Sequence, residues 1–275
     1  MIPDLEDLRK EPIRGTLGAA TASVTRWSGR IGSQPFSMIV KQLAPVTTGR
    51  HVEAAKNPRH WAYWQREACA YASGLLPSGP GLAAPHCYGV VGESIYMEEA
   101  PPDPEDPVRA VSRLAEWQST AVIRDVPWLA GDQLEQRIAV TSLDWAAVDA
   151  DPRCAAVWDA RAELLGSLGD AARVLTHGDF HADQLRAAGA NTVVLDWGTL
   201  GVSPAGFDVA HLALSTLRDF DDDYLAAAGR GLPADAVRRA YRVSLLLTGV
   251  SRIHWMLTAG IELPTGYADF VLAHA

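Results

Sequence analysis

The sequence predicts an α+β protein with a small β-rich N-terminal part and a larger helical C-terminal part. Three observations carry the prediction. Alternating runs rich in β-branched and aromatic residues are confined to the early chain, as in TASVTRW and PFSMIVKQL. Beyond residues 101–107 most segments place apolar residues at spacings of three and four, the period of a half-buried helix. Strands and helices do not alternate, so the order is not that of a doubly wound parallel sheet.

Residues 16–43 read as two strands. TASVTRW runs into a turn signal at Ser28-Gly29, and PFSMIVKQL follows with Lys41 near its end. Gly15 and Gly18 sit just ahead, where a tight turn or a phosphate-covering loop fits. Residues 58–76 read as a helix: Trp61, Trp64, Ala68, Tyr71 and Leu75 form one apolar stripe, ended by Gly74 and Pro77. HCYGVV and SIYMEEA read as short strands. The run Pro101-Pro102-Asp103-Pro104-Glu105-Asp106-Pro107 breaks the chain and marks the expected boundary. Amphipathic helices are expected at 108–122 and 152–168. VLTHGDFHADQL and TVVLDWG read as loop, strand and loop. Helical patterns resume at Phe207 and run through Ala234 to Leu257.

Composition narrows the function classes. A chain of 275 residues with 48% hydrophobic and 21% charged residues can bury a core without staples. That excludes a disordered chain and a disulfide-dependent mini-protein. Thirty-three acids against 24 Lys plus Arg give net −9, which leaves no basic footprint for nucleic acid. Such a balance suits a cationic or metal-bound partner where acids cluster. Cys69, Cys87 and Cys154 are odd in number and widely spaced, so they read as neither a disulfide framework nor a metal site. A reducing, cytoplasmic location is expected. The opening MIPDLEDLRKEPIRG lacks the apolar run of a signal peptide, and no apolar stretch is long enough to span a membrane. Neither a nucleic-acid nor a membrane partner is expected, and a monomer is favoured.

The segment His177-Gly178-Asp179-Phe180-His181-Ala182-Asp183-Gln184 alternates ionisable and non-ionisable residues ahead of a strand. Asp196-Trp197-Gly198 begins twelve residues beyond Gln184, at the end of the apolar strand 192–195. A carboxylate there is exposed at a strand edge, where ligands usually sit. HGDFHADQ followed by LDWG resembles the catalytic loop and metal-binding motif of the aminoglycoside phosphotransferase-like kinases, a group that includes choline kinase-type enzymes. Their usual form is HGDxHxxN, a hydrophobic strand, then D-x-[GD]. The downstream GFDVAHL is similar to the family's G-x-D-x-A segment. Upstream, Lys41 on a strand, Glu67 on a helix and the connector Met97-Glu98-Glu99-Ala100 follow the family order.

The resemblance implies a two-lobed, protein-kinase-like fold, with residues 1–99 as a nucleotide-binding lobe and 100–275 as a catalytic and acceptor-binding lobe. It implies transfer of the γ-phosphoryl group of ATP, or of GTP, to a hydroxyl. Phosphoryl transfer asks a protein mainly for positioning and charge neutralisation. Asp179 would orient the acceptor hydroxyl and accept its proton. Asp196 would bind Mg²⁺, a hard cation that takes carboxylate oxygen. Gln184 stands where the family usually has Asn, the same amide oxygen on a longer stem. Lys41 would hold the α- and β-phosphates, Glu67 would hold Lys41, and Glu98 and Ala100 belong to the connector that meets the nucleotide. Glu53 and Glu98 compete with Glu67, since helix glutamates usually face solvent. Asp208 reads as structural, and His177, His181 and Asp183 as local or substrate-side residues.

The family covers antibiotic kinases, choline and ethanolamine kinases, sugar and amino-acid kinases, and enzymes acting on peptide hydroxyls. The leading acceptor is the hydroxyl of an antibiotic or other natural product, in a resistance or tailoring role. The cluster Asp219, Asp221, Asp222 and Asp223 would attract a cationic acceptor if it lines the acceptor region. Equally, Asp is favoured at a helix N-terminus. Three rivals stand beside this reading. His177, Asp179, His181 and Asp183 share one face if extended, so a metal-dependent hydrolase is conceivable. A kinase acting on peptide Ser/Thr or on a primary metabolite is the second. A pseudokinase that binds nucleotide without turnover is the third, and Lys41, Asp179 and Asp196 argue against it.

Overall fold

The computed structural model describes residues 2–13, 15, 18–49 and 51–275. The loop expected around Gly15 and Gly18 includes residues 16 and 17, which lie outside the described residues. In chain order the first elements are β1 (Glu6–Pro12), β2 (Thr21–Ile31), β3 (Gln34–Leu43), α1 (Arg66–Ser73), β4 (Leu82–Ala83), β5 (Cys87–Val91) and β6 (Ser94–Glu98). Then follow α2 (Pro107–Thr120), α3 (Gln133–Ala139), α4 (Pro152–Asp159), α5 (Arg161–Gly166), β7 (Arg173–Thr176), β8 (Leu185–Ala188), β9 (Asn191–Val194) and β10 (Gly201–Pro204). The last elements are α6 (Phe207–Thr216), α7 (Asp221–Ala228), α8 (Ala234–Thr258) and α9 (Tyr267–Leu272). The chain is a mixed α+β protein, an antiparallel sheet early and helices late, as its sequence predicts.

Two compact units divide the chain. The first comprises Met1–Glu105, Asp125–Ala130 and Gln184–Leu200; the second comprises Asp106–Arg124, Gly131–Asp183 and Gly201–Ala275. Residues 125–130 and 184–200 thus belong with the first unit although they follow the proline-rich break.

The first unit carries an antiparallel sheet in the order β1-β2-β3-β6-β5. Side chains on a strand alternate faces, so Ile39, Lys41 and Leu43 share one face of β3. Leu43 packs in a cluster with Ile95 and Met97, against which Ile39, Ala68 and Tyr71 are pressed. The same alternation therefore delivers Lys41 to α1. β1 was not foreseen, because EDLRKEP has no alternation; it is exposed along its whole length. Charge and Pro12 on an edge strand block further pairing. A second sheet, β4-β9-β8, completes this unit and carries the segment that ends at Asp196.

The helix expected over 58–76 is only Arg66–Ser73. The reason is Arg66, which is fully buried. Its guanidinium donates to the carbonyls of Pro58, His60 and Trp61 at 2.6–2.7 Å and to Trp128 at 2.9 Å. Carbonyls turned inward to one cation cannot make the i to i+4 ladder, so 58–65 stays in turns. The bond to Trp128 also ties residues 125–130 to this unit. Gly74, left-handed at φ 68°, ends α1 as expected.

In the second unit α8 is the central element, packed against α4, α6 and α9. Gly206 stands at the entry to α6 with φ 108°. A Cβ there would lie 2.8 Å from the Val237 carbonyl and 2.9 Å from the Tyr241 nitrogen of α8, so glycine is required twice over. The strands β7 and β10 pair antiparallel, and β7 runs straight into His177. The expected helix 152–168 is two, α4 and α5, divided at Ala160.

Candidate active site

The expected site residues fall into two clusters of ionisable groups, one in each unit. In the first, Lys41 Nζ lies 2.6 Å from Glu67 Oε2 and 2.8 Å from Asp196 Oδ1. Lys41 and Glu67 are buried, whereas the Asp196 side chain is 47% exposed and open to a ligand. Burial opposes the Lys41 charge, but the carboxylates of Glu67 and Asp196 outweigh it and hold the ammonium above its ordinary pKa. Burial pushes Glu67 up to about 7 against the pull of Lys41. Among the candidates, Glu67 is the partner of Lys41; Glu53 pairs instead with Lys56.

Asp196 has a left-handed backbone, φ 61°, which is uncommon outside glycine. The turn is secured by Trp197, fully buried, whose indole Nε1 donates to the Val194 carbonyl at 2.8 Å. Gln184 sits nearby in sequence pairing, since Leu195 N–H donates to its carbonyl at 2.9 Å. A carboxylate and an amide oxygen are hard donors that fit Mg²⁺, whose remaining positions phosphate oxygens and water normally fill. Glu98 and Ala100 line a cavity of about 460 Å³ with Tyr71, Cys87 and Asn191. Lys41, Glu67 and Asp196 do not line that cavity, so the connector residues and the ionic cluster are not brought together there.

In the second unit, Asp208 shapes the loop that presents Asp179. Its buried carboxylate accepts the N–H groups of His177 and Gly178, each at 2.8 Å, and Gln118 Nε2 at 3.1 Å. Tyr224 Oη in turn donates to Gln118 Oε1 at 2.7 Å. Burial pushes Asp208 up to about 7 despite these donors. Gly178 takes φ 86°, a conformation glycine adopts at no steric cost.

Asp179 stands among groups from distant segments. Its Oδ2 is 3.6 Å from His181 Nε2, and its Oδ1 is 3.5 Å from His211 Nδ1 and 3.8 Å from the Arg252 guanidinium. Arg137 donates to the Gly178 carbonyl at 3.2 Å. Burial raises the Asp179 pKa, but the two imidazoles and the Arg137 charge outweigh it and hold the carboxyl well below the usual range. His211 is pushed down to about 3, chiefly by burial and further by Arg252, so its ring is neutral at pH 7.

The acidic cluster is elsewhere. Asp219 accepts from Tyr241 Oη at 2.5 Å and lies 2.9 Å from His274 Nε2. Asp222 pairs with Arg238 at 2.7 Å, and Asp221 lies 3.6 Å from the same guanidinium. Asp223 is the third acid in the first turn of α7. Arg238 and Arg252 both belong to α8, fourteen residues apart, which at 1.5 Å per residue is about 21 Å along the axis. Asp222 and Asp179 are therefore at different ends of that helix. His211, Arg137 and Arg252 were not singled out from the sequence. Arg252 had a signal, a cation in the apolar run Leu245–Met256.

Among the described residues no three His, Cys, Asp or Glu side chains are gathered to cage a metal ion. The HxDxHxD hydrolase reading thus lacks its ligand set. Among the described residues no helix is long and apolar enough to cross a membrane.

Comparison with known proteins adds independent findings. Solved structures similar to this chain include choline kinase LicA from Streptococcus pneumoniae, at 13% identity and TM-score 0.59, covering 97% of this chain and 92% of that one. Macrolide 2'-phosphotransferase MphH from Brachybacterium faecium matches at 16% identity and TM-score 0.56, covering 98% and 93%. A thermostable mutant of aminoglycoside phosphotransferase APH(4)-Ia, in ternary complex with AMP-PNP and hygromycin B, matches at 16% identity and TM-score 0.53, covering 98% and 91%. These likenesses show a shared fold. Comparison with curated proteins gives no match. The phosphotransferase enzyme family (APH) matches residues 41–242, from the buried lysine to the middle of α8, so the chain belongs to that family.

Proposed function

We propose that the protein transfers the γ-phosphoryl group of ATP to a hydroxyl of a small molecule, with an antibiotic or other natural product as the leading acceptor class. The observation that carries the reading is the Lys41 ammonium held at 2.6 and 2.8 Å by Glu67 and Asp196, residues far apart in sequence. A buried cation between a buried and an exposed carboxylate is a poor choice for stability alone. It is the arrangement needed to meet a polyphosphate and its counterion.

In this reading Lys41 binds the α- and β-phosphates and Glu67 fixes its direction. Glu98, at the end of the nucleotide lobe 1–99, and Ala100, the first residue of the second lobe, contribute to nucleotide binding from the connector. Asp196 and Gln184 would hold Mg²⁺, which would supply charge neutralisation for the phosphates. Asp179, on the acceptor side within 100–275, accepts a hydrogen bond from the acceptor hydroxyl. A bond forms from that oxygen to the γ-phosphorus, and the bond from the γ-phosphorus to the bridging oxygen of ADP breaks. The hydroxyl proton passes to Asp179 and then to solvent. Its neighbours keep Asp179 ionised, so it can orient the hydroxyl as well as accept its proton. Asp208, Gln118 and Tyr224 act behind it by holding the loop.

The placement of Asp219, Asp222 and Asp223 gives a cationic acceptor no support. A thermal-shift titration with ATP and Mg²⁺ tests the reading. ATP at about 100 times its Kd adds roughly 2.7 kcal/mol of stability. The shift is expected to need Mg²⁺ and to disappear in Asp196→Asn. An equal shift in the variant removes Asp196 from nucleotide binding.

A further inference from the structure

The surroundings of Asp179 are cationic. Arg252 carries five guanidinium donors on a rigid planar fork. It lies 3.4 Å from His211 Nδ1 and 3.8 Å from Asp179 Oδ1. Among the described residues it has no carboxylate at close ion-pair distance, so its charge lacks a tight anionic partner. Its side chain is 30% exposed, within reach of a ligand that meets Asp179. The buried Tyr267 hydroxyl adjoins the same guanidinium, close enough to take part in a hydrogen bond with it. Buried His211 has an Nε2 without a partner among the described residues. Arg137 and His181 add further positive or donor character on the other sides of Asp179. Asp179 is the only carboxylate here with a contact to Arg252 among the described residues. A cationic acceptor would meet repulsion at this place; an anion would find a guanidinium without a close carboxylate.

We propose that Arg252 determines acceptor specificity and that the acceptor carries an anionic group, a carboxylate or a phosphate ester, a few bonds from the hydroxyl that is phosphorylated. The Arg252 fork receives that group in a two-bond, charge-assisted contact. The Tyr267 hydroxyl beside it supplies a further donor. The hydroxyl of the same molecule then falls to Asp179, next to Arg252. The inference rests on the phosphotransferase reading and sharpens its substrate class.

The test measures ADP release with Mg²⁺ and ATP over matched probes. The anionic probes are 4-hydroxybutyrate and glucose 6-phosphate. Their neutral matches are 4-hydroxybutyramide and glucose, and the cationic set is choline and glucosamine. The carboxylate and phosphate arms separate the two sources of charge. At least one anionic probe is expected to be phosphorylated well above its neutral match. Arg252→Gln is expected to raise the KM of that probe about 10- to 100-fold, as loss of a charge-assisted contact does. The KM for ATP stays within about twofold in the same variant, and Arg252→Lys recovers part of the loss, as a single charge without the fork. The inference is overturned if neutral or cationic probes are preferred, or if no anionic probe is phosphorylated. It is also overturned if Arg252→Gln lowers kcat equally for charged and neutral probes, since Arg252 then serves the transferred phosphoryl group. Nucleotide binding separates the two failures. A wild-type protein that shows the Mg²⁺-dependent ATP shift but prefers cations retains the phosphotransferase reading and loses only this one. A protein that shows no ATP shift loses both.

Discussion

The two ionic clusters are electrostatic opposites. In the first unit a cation, Lys41, is buried between two carboxylates. In the second a carboxylate, Asp179, is enclosed by two imidazoles and two guanidinium groups. In the proposed reaction the two charges suit different partners: a cation suits polyphosphate, and an anion suits a hydroxyl that gives up a proton. Each centre is also kept ionised by its neighbours against the cost of burial, which is why neither can be read from its own residue alone. Lys41 has two carboxylates at close range, whereas among the described residues the one carboxylate near Arg252 is 3.8 Å away.

Either cluster can be perturbed on its own. The largest effect is expected from Asp179→Asn, which keeps the shape and removes the charge. Its kcat should fall about 100- to 10,000-fold while the ATP-induced thermal shift persists. Turnover at the wild-type rate would show that the enclosed carboxylate is not at the reaction centre.

Lys41→Met leaves Glu67 buried without its cation. Removing one partner of a buried pair costs about 3–5 kcal/mol. Urea denaturation should show a loss of that order, with a large part regained in the double variant Lys41→Met/Glu67→Leu. A single variant as stable as the wild type would mean that Glu67 is already uncharged without Lys41.

A smaller effect concerns Asp208. Its folded pKa is raised from 3.8 to about 7, so folding favours its neutral form. The stability it contributes is present below about pH 3.8 and is lost as pH rises through about 7. Asp208→Asn removes that loss. The variant is expected to be less stable overall, having lost acceptor capacity for His177 and Gly178, but flatter between pH 4 and 7. Urea midpoints at several pH values measure it, and parallel wild-type and variant profiles would contradict the assignment.

The chemistry of the site was legible because its motifs are contiguous. HGDFHADQ, LDWG and GFD keep their ionisable residues within a few positions of one another, and spacing alone displays them. β2 and β3 were legible for a similar reason, since strand alternation is a local signal. The helix over 58–65 was misread because its apolar spacing is real but its carbonyls are claimed by Arg66, a residue outside the stripe. β1 gave no pattern because an exposed edge strand needs none. The acidic cluster looked like a ligand surface in sequence. In the structure Asp219 is matched to Tyr241 and His274, and Asp221 and Asp222 to Arg238. His211 and Arg252 were invisible beside Asp179 because helices α6 and α8 bring them there from 32 and 73 residues away.

The α+β class, the strand that carries Lys41, and the loop that carries Asp179 with its brace at Asp208 are written in local sequence patterns. Which charges meet depends on the packing of distant segments. That packing chose Glu67 over Glu53 for Lys41, gathered residues 184–200 into the first unit, and set Arg252 beside Asp179. The physical reason is range. Backbone periodicity and turn chemistry act over a few residues and leave a mark on the sequence. Charge interactions depend on separation in space and on burial, and both are fixed only when distant segments pack.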